Sequence, residues 1–162
     1  MKIAIFTEGT VIMHKSAMGH RRQEIVQQVI NNEPSVKDYV HYVPIGHSAG
    51  KIEKWAKQGA QITYITSRRD KKEVQDIFDV LIGYNFPQGT LECRKQREDY
   101  KDVAERIMPD IIIEDDCESI GGKKETTYPH IRDPIKEKIK SIIVKEFSGI
   151  DFLPDDLRAL AK

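Results

Sequence analysis

The sequence predicts an α/β fold, a doubly wound Rossmann-like parallel sheet carrying a small helical cap insertion, and three observations predict it. Short β-branched runs at Ile3 to Phe6, Gln61 to Ile65 and Asp110 to Ile113 suit strands covered on both faces. Helical stripes alternate with these runs, which implies right-handed crossovers and parallel strands. Each run also stops in polar residues, namely Thr7-Glu8, Thr66-Ser67-Arg68 and Glu114-Asp115-Asp116. Strand C-terminal tips are where open α/β sheets bind ligands.

The first strand is Ile3-Ala4-Ile5-Phe6, broken at Thr7 to Thr10, where Gly9 permits a tight turn. From Val11 to Ala49 the chain is rich in His, Gln, Asn and Pro. One helical stripe, Ile25, Val26, Val29 and Ile30, begins there near Arg22 and ends at Asn31, Asn32 and Pro34. So thin a stripe does not make an independent domain, and residues 11–48 read as a lid inserted into a single domain spanning 1–162.

Ser48 is placed to cap a helix whose Ile52, Trp55 and Ala56 share a face, with Gly59 as its stop. Asp70 and Glu73 form a capping pattern before Val74, Ile77, Phe78 and Leu81, spaced as one helical face. A short strand follows at Thr90 to Cys93. Val103, Ala104 and Ile107 then mark a helix, Ile142 to Val144 a last strand, and Asp155 to Leu160 a terminal helix.

Composition excludes several classes of function. The 162 residues carry 26 basic and 26 acidic side chains, so the formal charge cancels. That balance argues against a general nucleic-acid or membrane-surface binder, and clusters such as Arg68-Arg69 read as solvated faces. Cys93 and Cys117 are far apart in sequence, which indicates neither a zinc site nor a redox pair; two reduced thiols in a cytoplasmic protein are expected. No run approaches the ~18 apolar residues of a membrane span. Glu8 interrupts the N-terminus too early for a signal-peptide core.

The chemistry sits at the strand ends. Three consecutive acids at one tip repel each other if buried, and a divalent cation would relieve that. Oxygen ligands without Cys or His at metal spacing favour magnesium over zinc. A solvated acidic turn is the other reading.

These tips, in this order, resemble the haloacid dehalogenase-like superfamily, mostly phosphatases and other phosphotransferases. That family's first motif, a strand ending in D-x-D-G-T, is matched by Phe6-Thr7-Glu8-Gly9-Thr10. The second, a Ser or Thr at a strand end, is matched by Thr66, and the third, a Lys opening a helix, by Lys101. The fourth, paired acids after a strand, is matched by Asp115 and Asp116. The resemblance implies a magnesium-dependent phosphatase for a small phosphorylated substrate. Glu8, Thr66 and Lys101 would be catalytic, Thr7, Thr10, Ser67 and Arg68 would contact substrate, and Asp115, Asp116 and Glu8 would hold the metal.

One departure changes the chemistry. Phe6 stands where the family has its aspartate nucleophile and first metal ligand, and a phenyl ring can serve as neither. Two readings follow. In one, hydrolysis proceeds without a covalent intermediate, through a water activated by Glu8. In the other, the chain is a catalytically inactive binding module that keeps the pocket.

Overall fold

The computed structural model describes all 162 residues. Five strands form one parallel sheet: β1 (Lys2–Phe6), β4 (Gln61–Ile65), β5 (Thr90–Glu92), β6 (Ile111–Asp115) and β7 (Lys140–Val144). Two further strands, β2 (Ile12–Met13) and β3 (Val43–Pro44), pair antiparallel as a separate ribbon. The sheet order is β5-β4-β1-β6-β7, so β1 is central. The chain fills one side of β1 and then crosses to the other, and the C-terminal tips around that reversal enclose a crevice.

Strand register divides the core in two. Ile3 and Ile5 stand level with Ile111 and Ile113 and share the larger core with Ile62 and Tyr64. Ala4 and Ile112 face the other way, into a smaller core with Ile65, Val103 and Ala104. Side chains alternate along a strand, so Phe6 falls on the Ala4 side and packs against that smaller core. Phe6 is therefore a core residue at the rim of the crevice.

The helices follow the sequence pattern with four corrections. Helix α1 (Arg22–Ile30) buries Ile25 and Val26, but Ile30 is 54% exposed because Asn31 ends the helix before anything covers it. In helix α2 (Ser48–Lys57) the N-cap position is His47, which makes no side-chain capping bond, and Ser48 is the first helical residue, its hydroxyl donating back to the Ile45 carbonyl. Helix α3 (Lys71–Gly83) is capped as expected by Asp70, which accepts from the Lys72 and Glu73 amides at 2.9 and 3.2 Å. Its buried face is Ile77, Val80 and Leu81; Phe78, expected inside, lies 37% exposed. The insertion, finally, is not wholly helical, since the β2–β3 ribbon joins its two ends.

Helix α4 (Tyr100–Ile107) covers the smaller core with Val103 and Ala104. Two short helices complete the chain, α5 (Asp133–Lys136) and α6 (Leu157–Leu160). Cys93 and Cys117 are unpaired. No helix is long and apolar enough to cross a membrane.

Candidate active site

The crevice has a volume of about 850 Å³ and takes side chains from every strand tip of the main sheet. Glu8 and Gly9 come from β1, Ser67 and Arg68 from β4, Arg94 from β5, Asp115 and Cys117 from β6, and Glu146 from β7. Tyr100 and Lys101 reach it from the start of α4, while His14, Tyr39 and Tyr42 reach it from the insertion.

Glu8 organises the β4 side. Its carboxylate accepts from Thr66 Oγ1 at 2.8 Å, Ser67 Oγ at 2.9 Å and the Ser67 amide at 3.3 Å, and also from the Thr7 hydroxyl. Arg68 Nε lies 3.2 Å from Glu8 Oε1. The Arg68 guanidinium covers the Tyr39 ring at 4.7 Å and also donates to the Tyr39 hydroxyl. These contacts fix one planar cation at the mouth of β4, held between a carboxylate and an aromatic face.

Asp115 organises the other side. It accepts from Thr10 Oγ1 at 2.9 Å and from the Cys117 amide at 2.8 Å. Gly9 permits this approach. Its φ is +81°, and a Cβ there would stand 2.9 Å from Asp115 Oδ2, so a side chain at position 9 is strained by the backbone and displaces the Asp115 carboxylate.

Four buried carboxyls surround this tip, and their environments differ. Burial pushes Asp115, Glu114 and Glu146 above the ordinary carboxylate range, although each accepts hydrogen bonds that act in the opposite direction. Asp116 also feels its burial, but the Glu146 amide and the Lys145 ammonium outweigh it and hold the carboxyl below its usual range. Burial and the neighbouring carboxylates keep the Cys117 thiol protonated, which removes it as a nucleophile.

This difference carries a pH signature. A raised folded-state value means that the folded chain keeps a proton the unfolded chain has released. The stability from Glu146 is therefore complete below the ordinary carboxylate range and is lost as pH rises through its folded value. Glu146 accepts from Ser119 N at 2.7 Å and Ser119 Oγ at 2.6 Å, bonds a glutamine amide can reproduce because the hydroxyl can turn and accept. The Glu146→Gln protein gains melting temperature relative to the parent as pH rises from about 4 to about 7. Melting both proteins across that range checks this; a constant difference refutes it.

Not every residue expected at the site is there. Glu8, Ser67, Arg68, Lys101 and Asp115 line the crevice. Thr7, Thr10 and Thr66 do not: all three are fully buried, and their hydroxyls are spent on Glu8, Asp115 and the Ile65 carbonyl. Their hydroxyls orient the carboxylates. Asp116 is turned away toward Glu146 and Lys145 because side chains alternate at the end of β6.

Glu8, Asp115 and Asp116 accordingly do not gather, and no three His, Cys, Asp or Glu side chains are grouped to hold a metal ion. As placed, Glu8 pairs with Arg68 and Asp116 with Lys145, so these carboxylates do not form a ready-made magnesium site.

Arg94, Tyr100 and Glu146 were missed in the sequence. A signal existed for two of them: Arg94 and Glu146 stand just past β5 and β7, where the strand-tip rule applied to the other three strands would have placed them.

No family model matches the chain, and no curated protein matches it. Among solved structures it is similar to a class C acid phosphatase from Bacillus anthracis with tungstate bound. The TM-score is 0.56 at 13% identity, over 91% of this chain and 68% of that one. The fold is haloacid dehalogenase-like. A D,D-heptose 1.7-bisphosphate phosphatase from B. bronchiseptica, complexed with magnesium and phosphate, overlaps with a TM-score of 0.47 at 11% identity, over 91% of this chain and 94% of that one. The tips of the central strand and its neighbours place Phe6, Glu8, Arg68 and Asp115 around the crevice.

Proposed function

We propose that the crevice is a phosphatase-type site that binds a small phosphorylated molecule and cannot form a phosphoenzyme. The observation that carries this reading is the Glu8–Arg68–Tyr39 assembly, which presents a fixed guanidinium at a strand tip beside a phenyl ring that replaces the nucleophile. A planar guanidinium suits a phosphate's paired oxygens. Lys101 lines the same crevice and adds a second positive charge without a protein carboxylate partner. Glu8 is filled, since each of its oxygens already accepts two hydrogen bonds, whereas each oxygen of Asp115 accepts only one. The position of a nucleophile is taken by the Phe6 ring, which cannot attack phosphorus. Recognition without turnover is the function that this arrangement supports best.

A second reading rests on Asp115. A carboxyl facing a crevice and raised by burial is suited to general acid or base work. In that reading water attacks the phosphorus as the ester P–O bond breaks, Asp115 takes the water's proton and returns one to the departing alkoxide, while Arg68 and Lys101 hold the phosphate oxygens. One experiment separates the two. The melting temperature of the pure protein is recorded with inorganic phosphate, a panel of phosphate monoesters and magnesium, and phosphate release is assayed in parallel. A ligand that binds only the folded state raises the melting temperature. Binding without release is the expected result. Sustained release abolished by Asp115→Asn would establish hydrolysis instead, and no thermal shift with any compound would refute both readings.

A further inference from the structure

One wall of the crevice is a three-layer stack. Phe6 meets Tyr100 edge-on, with ring centroids 5.2 Å apart and planes at 75°. The guanidinium of Arg94 covers the Tyr100 ring, 4.1 Å from its centroid. All three side chains line the crevice.

Arg94 differs from the other arginines drawn in from the surface. Arg22 pairs with Glu118 at 2.6 Å, and Arg68 pairs with Glu8 at 3.2 Å. Arg94 has no carboxylate partner, and its Nε is closed off from water with no hydrogen-bond acceptor. A guanidinium is a permanent cation with five donors, and a donor left unmet away from water is destabilising. The unmet Nε marks a side chain that its own fold leaves unpaired, and the terminal nitrogens of the fork are the donors turned to the crevice that Arg94 lines. The aromatic face beneath it holds the fork flat, so little freedom is lost when a planar set of oxygens arrives.

We propose that Arg94 is the crevice's receptor for the ligand's phosphate oxygens, presented by Tyr100 and braced by Phe6. This rests on the phosphorylated-ligand reading and deepens it by naming the residue that sets preference for a doubly charged oxyanion. Phe6 gains a role in the same step. A phenyl ring at position 6 supports Tyr100 from behind and keeps this wall free of a carboxylate that would compete for the guanidinium.

The test is titration calorimetry of the full chain with inorganic phosphate and with each phosphate monoester of the panel, for the parent and four variants. Arg94→Ala weakens the best binder by about tenfold or more, as expected for a lost charge-assisted fork. Arg94→Lys retains charge but not the fork and falls between, while Tyr100→Leu weakens binding several-fold through loss of the platform. Arg69→Ala, an exposed neighbour outside the crevice, leaves affinity unchanged. If Arg94→Ala does not melt cooperatively, Arg94→Gln takes its place in the comparison. Parent binding that Arg94→Ala or Arg94→Gln leaves unchanged overturns this inference and leaves the phosphorylated-ligand reading intact. A parent that binds neither phosphate nor any ester overturns both.

Discussion

Replacing Trp55 by alanine lowers stability by about 4 kcal/mol, the largest loss expected of any single substitution discussed for this chain. Trp55 is fully buried on α2, in the larger core with Ile3, Ile5 and Ile150. Its indole N–H donates to the Pro154 carbonyl at 2.8 Å, so it also ties the C-terminal segment to the helix. Alanine therefore leaves both a cavity and an unpaired carbonyl. For a chain of this size the melting temperature falls by roughly 10 °C. Trp55→Phe keeps most of the apolar volume and loses the hydrogen bond, so it falls between. Thermal melts of the three proteins check the order. A Trp55→Ala protein that melts with the parent would mean that this core is not packed as described.

Glu8→Ala is the second large effect, and it bears on the site. Removing one partner of a buried ion pair ordinarily costs about 3–5 kcal/mol, because the other charge is left without compensation. Here the Arg68 and Glu8 side chains keep 28% and 14% of their exposure. Water takes part of the load, and about 2–3 kcal/mol is expected. The Thr66 and Ser67 hydroxyls lose their acceptor in the same step. In a double-mutant cycle, Glu8→Ala with Arg68→Ala costs less than the sum of the singles, by about 1–2 kcal/mol. Strict additivity in denaturant melts would show that the pair is not coupled.

Trp55 and Glu8 differ in how far local spacing alone places them. Trp55 could be placed in the core from spacing alone, because Ile52, Trp55 and Ala56 repeat with the helical period. The parallel strands were legible for a related reason: β-branched runs such as Ile111-Ile112-Ile113 fit one environment, a strand covered on both faces. Helix faces were read less well at their margins. Phe78 satisfies the spacing of α3 as well as Val80 does, and only the position of the neighbouring elements selects Val80 for burial.

The site divides in the same way. That Glu8, Arg68 and Asp115 stand at strand tips follows from where each apolar run stops. Which of those groups face the crevice does not. Asp115 and Asp116 are adjacent and chemically alike, yet alternation along β6 sends one to Thr10 and the crevice and the other to Lys145. Thr66 and Ser67 are likewise neighbours, and only Ser67 reaches the lining.

By itself, then, the amino-acid sequence determined the layered α/β architecture, the polar residues at the strand tips, and the aromatic ring at position 6. These follow from local periodicity and residue type. The tertiary structure alone decided that Glu8 is spent on Arg68, that Asp116 turns away, and that Arg94 lies unpaired over Tyr100. Such pairings join residues from separate strands and helices, and their geometry is set by sheet register and helix packing, which local spacing does not encode.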